Sequence, residues 1–193
     1  MSHQAATVNG HTISQSQKIA TPHLGMSDEI LASSSVILNR VLSNASLLVI
    51  KTKKAHWDVM GPQFYSLHKL WDEQYETLSE RTDQIAERIR FLGGFPIGTA
   101  TGWLEHAVVH ENPGRIEAAT DAVRELMEDH ELVARVLRKN IEELEGKDVG
   151  TADFLTQLLQ DHEKMSWMLR SFLSGEAVES IGSAPRKSAP HLA

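Results

Sequence analysis

The sequence contains no cysteine among its 193 residues. This absence excludes disulfide bonds, thiolate metal sites and thiol nucleophiles together, so any bound metal must be held by nitrogen and oxygen. Basic residues are outnumbered by acidic ones, and the formal charge of −7 argues against a surface built mainly for nucleic acid. No apolar run approaches the roughly 20 residues that span a bilayer, and the start lacks the order of a signal peptide. We therefore expect a soluble, cytoplasmic protein without membrane association.

Proline and glycine are also few, with six and twelve residues, and most lie near the chain ends or between residues 91 and 114. The stretches between them are rich in Leu, Glu, Arg and Ala, which favours helices. After Ser27, a good helix N-cap, apolar residues recur every three or four positions, as in an amphipathic helix. Breaks at "MGP", "GGFPIGTATG" and "NPG" then predict four long helices, at about 28–57, 62–91, 115–144 and from 151 onward, and a short one at 103–110.

The ends of the chain differ in composition from its centre. Residues 1–27 contain one lysine, no acid and no sustained period, and the last twenty residues are similarly rich in small and polar types. The sequence predicts three parts: a flexible N-terminal tail at 1–27, one helical bundle at 28–174 and a flexible C-terminal tail at 175–193.

Two pairs of candidate metal ligands lie on the second predicted helix. His68 and Asp72 are four residues apart and so share a helical face, as do Asp83 and Glu87. Asp72 and Asp83, however, are separated by roughly 16 Å along a straight helix. The two pairs therefore cannot hold one ion within one chain.

A two-fold symmetric partner would bring the pairs together. Their stripe lies about 110° around the helix from the apolar stripe that should face the bundle core. The apolar stripe consists of Phe64, Leu67, Trp71, Tyr75, Leu78, Ile85 and Ile89. If a second copy crosses antiparallel with a constant residue-number sum of 155, Asp72 faces Asp83 of that copy. The same sum places His68 opposite Glu87, and His56, at the end of the preceding helix, could supply a fifth ligand.

Three carboxylates and two imidazoles suit Fe(II), Zn(II) or Mn(II) better than copper(I). The alternative is a row of solvated side chains, which is the usual state of acids and histidines on an exposed helix. A single-chain di-iron bundle built from Glu-x-x-His pairs is excluded, because none of the ten histidines follows a glutamate by three residues.

These residues resemble the ferroxidase signature of the Dps family, the mini-ferritins also called DNA-binding proteins from starved cells. The likeness rests on "AHW", on "AERI" and "LGG", and on the spacing of His56, His68, Asp72, Asp83 and Glu87. It extends over about residues 28–174, including "DHELVARVLRKNIEE" and "TADFLTQLLQDHEK". The resemblance implies an all-α, ferritin-like four-helix bundle with a short helix in the central connection, assembling as a hollow dodecamer with sites between subunits. His56, His68 and Asp72 would come from one subunit, and Asp83 and Glu87 from its partner.

The activity that the resemblance implies is oxidation of Fe(II) to Fe(III), characteristically with hydrogen peroxide, followed by storage of the ferric mineral in the cavity. Iron would be the metal at the site, with zinc as a competing occupant, and the protein would protect a bacterial cytoplasm or nucleoid against oxidative damage. A second interpretation, from another class, is a structural nucleoid protein or metal buffer whose interfacial site holds zinc without turnover.

Several further residues have two interpretations each. Trp57, beside His56, could absorb a stray oxidising equivalent or simply pack as an aromatic. Three acids flank the ligand stripe and could either nucleate mineral or be solvated: Glu73, Glu76 and Glu80. Asp148 and Asp153 lie where the family builds acidic pores, Asp153 being the better match.

"HAVVH" places His106 and His110 at the spacing of a zinc pair, but Ala107 replaces the catalytic glutamate of HExxH. Metalloprotease chemistry is therefore excluded, and an accessory metal site or ordinary surface histidines remain. The basic run "KTKK" at 51–54 is interpreted as a solvated helix end rather than a nucleic-acid contact.

DNA binding is expected to be weak or absent at neutral pH, because the tails contain few basic residues. These are Lys18 at the N-terminal end and Arg186 and Lys187 at the C-terminal end. Tail histidines gain charge below about pH 6.5 and could strengthen binding there. They are His3, His11 and His23.

Overall fold

The computed structural model describes residues 7–8, 11–12, 22–114 and 118–181, with side chains for 22–114 and 118–174. Its helices are α1 (Asp28–Asp58), α2 (Phe64–Phe91), α3 (Ala100–His106), α4 (Ala119–Leu144) and α5 (Val149–Ile181). Two short antiparallel strands, β1 (Thr7–Val8) and β2 (His11–Thr12), precede them. The prediction of four long helices and a short one in the central connection is confirmed. Most of both predicted tails lies outside the described residues, although α5 continues beyond the predicted boundary at 174.

The first two helices begin and end for recognisable local reasons. The Ser27 hydroxyl accepts a hydrogen bond from the Ile30 amide, and two acids in the first turn of α1 suit the helix dipole. Gly61, with φ of 98°, makes the sharp turn into α2. We expected Pro62 within the first turn of α2, but the helix starts at Phe64, after a turn closed by the Phe64 amide and the Gly61 carbonyl.

The core lies between two antiparallel helix pairs, α1 with α2 and α4 with α5. Most of the apolar stripe predicted on α2 is buried: Leu67, Trp71, Leu78, Ile85 and Ile89. Phe64 is a correction, since it is exposed at one end of the helix, while Tyr75 is half-buried. By length and composition α1 could cross a membrane, but most of its apolar window is buried inside the bundle.

The long connection between α2 and α4 is held by side chains of α1. Asn39 donates to the Phe95 carbonyl and accepts from the Ile97 amide, at 3.1 and 2.8 Å. Further along α1, the Asn44 side-chain oxygen accepts from two successive backbone amides, those of Val108 and Val109. These contacts satisfy backbone groups of an irregular segment that runs over the bundle.

Lys51 corrects the interpretation of "KTKK" as a solvated helix end. Its side chain is only 8% exposed and lies 2.7 Å from Glu125 and 2.5 Å from Asp129, both on α4. Its ammonium also donates to the His110 carbonyl at 2.7 Å. A buried charge requires such partners, so Lys51 joins α1, α4 and the connection in one polar cluster.

Asp148 caps the start of α5. It is 2% exposed and accepts hydrogen bonds from the Thr151 amide and hydroxyl and from the Arg88 guanidinium. Burial alone would raise its pKa, but the Thr151 hydrogen bonds and the Arg88 charge outweigh burial and lower the pKa. The carboxylate is thus bonded within its own protomer. The last helix, predicted from 151 onward, begins two residues earlier, at Val149. Asp153 is exposed.

Candidate metal centre

His56 and His68 face each other across the turn between α1 and α2. Their rings stack with centroids 3.7 Å apart and planes inclined by 21°. Each ring bonds to the other residue's backbone: His56 Nδ1 lies 2.9 Å from the His68 carbonyl, and His68 Nδ1 lies 3.0 Å from the His56 carbonyl. Because a carbonyl only accepts, both Nδ1 atoms carry the hydrogen. With Nδ1 of each ring bonded to a carbonyl, Nε2 is the nitrogen that is left to bind a metal.

Asp72 lies one turn beyond His68 and completes a set of three candidate ligands. Its Oδ1 is 3.8 Å from His56 Nδ1 and 3.3 Å from Lys53 Nζ. The hydrogen bond from Lys53 is the main cause that lowers the pKa of Asp72, so the carboxylate is ionised at neutral pH. The protomer thus brings together His56, His68 and Asp72.

Asp83 and Glu87 are exposed further along α2, away from the other three residues. Among the residues that the structure describes, no three His, Asp or Glu side chains, His56, His68 and Asp72 included, are arranged to hold an ion within the protomer. This agrees with the sequence argument that the two pairs cannot meet in one chain. Any ion bound by all five residues requires a second copy.

The bounds of α2 bear on how a second copy would pack. A register sum of 155 puts the two-fold axis between residues 77 and 78, which is also the centre of Phe64–Phe91. The two agree independently, because the sum follows from the numbers of the ligand residues alone. Large apolar side chains are also exposed near both ends of α2, a feature typical of an interaction surface: Trp57, Met60, Phe64, Tyr65, Phe91 and Phe95.

The other residues singled out in the sequence lie outside this group of candidate ligands. Trp57 is 70% exposed, so it does not pack into the protomer core. The acids flanking the ligand stripe are all exposed: Glu73, Glu76 and Glu80. α3 ends at His106, whose Nδ1 lies 2.9 Å from the Gly102 carbonyl, and His110 lies beyond the helix. The two histidines therefore do not share one helical face, as their i, i+4 spacing in "HAVVH" suggested.

Sequence reasoning missed a buried histidine pair between α4 and α5. His130 Nδ1 lies 2.9 Å from His162 Nδ1, and both rings are buried. Burial lowers the pKa of His130 well below its ordinary value and lowers that of His162 to about 4. A signal was present, since both residues stand in the same tripeptide, "DHE".

Comparison with known proteins gives the fold its class. The chain matches the ferritin-like domain family over residues 36–176. Dps from Thermosynechococcus elongatus superposes with a TM-score of 0.72 at 32% identity, over 75% of this chain and 92% of that one. Dps from Vibrio cholerae, described as a member of a broad superfamily of ferritin-like diiron-carboxylate proteins, gives 0.75 at 26% identity, over 82% and 99%. An uncharacterized low temperature-induced protein of Nostoc sp. is 48% identical over 84% of this chain and 92% of its own length.

These matches define a ferritin-like protein. Within that class the chain belongs to the Dps family, as the resemblance of its ligand spacing suggested.

Proposed function

We propose that the protein is a ferroxidase and iron store that oxidises Fe(II) at sites shared between two-fold related subunits of a dodecameric cage. The observation that carries this proposal is the histidine pair, whose reciprocal backbone hydrogen bonds occupy Nδ1 of both rings and leave Nε2 as the metal-binding nitrogen, with the Asp72 carboxylate 3.8 Å from the His56 ring. Nitrogen and carboxylate oxygen without sulfur suit Fe(II). Membership of a family with ferritin-like diiron-carboxylate relatives supports iron as the substrate.

The second half of each site would come from a partner subunit. His56, His68 and Asp72 supply two imidazoles and one carboxylate, and Asp83 and Glu87 of the partner add two more carboxylates. Two observations support this dimer: the centre of α2 coincides with the axis that the register sum predicts, and apolar residues are exposed near both ends of that helix. Twelve subunits, a cytoplasmic location and zinc as a competing occupant belong to the same proposal.

The ligand set would favour the oxidised product. Three carboxylates stabilise Fe(III) more than Fe(II), since their attraction grows with the charge of the ion. Each Fe(II) gives up one electron, so two neighbouring ions can reduce one hydrogen peroxide fully to the level of water. That two-electron step releases no hydroxyl radical, which explains how iron storage would also protect the cell. The exposed Glu73, Glu76 and Glu80 are candidates to receive the ferric product.

Subunit mixing tests the shared site. A His68→Ala/Asp72→Ala chain and an Asp83→Ala/Glu87→Ala chain, each inactive alone, are coexpressed, and ferric absorbance is followed after hydrogen peroxide is added to anaerobic Fe(II). Every mixed dimer then holds one intact site and one doubly damaged site. With random pairing about one quarter of all sites are intact, so about one quarter of the parent rate is expected.

The matched control coexpresses His68→Ala with Asp72→Ala, two chains damaged in the same half of the site, and no mixed dimer restores a site there. If the first mixture stays as inactive as this control, the ligands do not come from two subunits. If the parent itself oxidises Fe(II) no faster than the double variants, the ferroxidase proposal fails.

A further inference from the structure

Lys53 lies within the candidate metal centre but belongs to none of its five ligands. It precedes His56 by one helical turn, and its side chain is 24% exposed. Its Nζ lies 3.3 Å from Asp72 Oδ1 and 4.0 Å from the centre of the Tyr75 ring. The ammonium therefore has two neighbours, a carboxylate ligand and an aromatic face.

The neighbouring lysines show that this contact is specific to position 53. Lys51 is occupied by Glu125 and Asp129 on α4, and Lys54 forms an ion pair with Asp58 at 2.7 Å. Lys53 alone among the three is bonded to a candidate metal ligand.

A divalent ion bound to Asp72 Oδ1 would compete with the Lys53 ammonium for that oxygen. An iron or zinc ion bound to a carboxylate oxygen lies about 2 Å from it, well inside the present distance of Nζ. The two cations would then repel each other at short range in a half-buried site. The Tyr75 ring offers the displaced ammonium a second favourable contact without a large movement.

We propose that Lys53 is a placeholder cation of the metal centre. It holds the Asp72 carboxylate oriented before metal arrives, and a divalent ion has to displace it in order to bind. Lys53 is thus a positioning residue that sets the affinity and selectivity of the centre for divalent ions. This inference rests on the proposed function, because it takes Asp72 as a ligand of the substrate metal.

The test is an anaerobic titration of the full-length cage with Co(II), a probe whose binding can be measured without turnover. Binding is monitored by calorimetry and by the visible spectrum of bound cobalt. A lysine ammonium and a divalent ion about 6 Å apart in water repel each other enough to weaken metal binding about tenfold. Lys53→Met is therefore expected to bind Co(II) about tenfold more tightly than the parent. Lys54→Met, which removes the same charge from the next residue, is expected to bind like the parent.

Equal affinities for Lys53→Met and the parent would overturn the inference. So would equal tightening by Lys54→Met, since the cause would then be net charge and not occupation of Asp72. His68→Ala separates the two proposals. If it leaves Co(II) binding unchanged, the proposed centre fails together with the placeholder; if it abolishes binding and Lys53→Met has no effect, only the placeholder fails.

Discussion

Acid is expected to lower the free energy of unfolding of the bundle through the buried His130–His162 pair, which is not among the candidate metal ligands. Both histidines are neutral in the folded chain because burial opposes their charged forms. In the unfolded chain they titrate near the ordinary histidine pKa of about 6.5. Between that value and the lowered folded pKa the unfolded state binds more protons, so stability falls as the pH falls through this window.

The folded pKa of His162 gives the size of the effect. At pH 4.5, a folded pKa of about 4 against an unfolded value of about 6.5 corresponds to a loss of roughly 2–3 kcal/mol relative to neutral pH. The pKa of His130 is shifted in the same direction, so its protonation adds to that loss. The effect should be complete below the folded pKa and absent above pH 7.

The assay is urea unfolding at fixed protomer concentration at pH 7.5, 6.5, 5.5 and 4.5. The perturbation is a His130→Leu/His162→Leu variant, which replaces both partners by apolar groups and leaves no polar atom of the pair unpaired. We expect this variant to lose roughly 2–3 kcal/mol less than the parent over the pH range. The control is His106→Gln/His110→Gln, which removes two exposed histidines and should follow the parent. Equal acid losses in the parent and the Leu variant would refute the reasoning.

Two further predictions concern the connection and the tails. Asn44→Ala leaves the buried Val109 amide and the part-buried Val108 amide without their acceptor and should lower the free energy of unfolding by about 2–4 kcal/mol. Asn112→Ala, at an exposed turn, should lower it by under about 1 kcal/mol in the same urea titration. DNA binding in gel shifts should be weak at pH 8, stronger at pH 6 and lost when residues 1–21 and 182–193 are removed. Tight binding at pH 8 that survives this truncation would contradict the second prediction.

Local signals predicted the helices well because helix formation depends on short-range periodicity and caps. The start of α1 after Ser27 and the ends of α2 and α4 near Phe91 and Leu144 follow from such signals. The sequence predicts the short helix at 103–110, whereas the structure has it at Ala100–His106. The difference arises because the last three residues of "GGFPIGTATG" are helical and not part of the loop.

Features that depend on contacts between distant residues could not be predicted in this way. Whether a lysine in "KTKK" is solvated is decided by acids on α4, more than seventy positions further along the chain, which fold back over Lys51. The partnership of His130 with His162 likewise needs the register between α4 and α5, which periodicity does not fix. The separation of Asp83 and Glu87 from the other ligands was predictable, because it follows from helix rise alone.

Because His56 and His68 each hydrogen-bond to the other's backbone, the orientations of the two imidazoles depend on each other. Each imidazole is oriented by the main chain of the opposite helix, so neither can keep its direction if the α1–α2 hairpin opens. A strain, truncation or substitution that loosens this hairpin should therefore disable both nitrogen donors at once. A chain in which α1 and α2 have not yet packed together would then lack a well-oriented pair of imidazoles. Metal binding would therefore require a correctly folded hairpin.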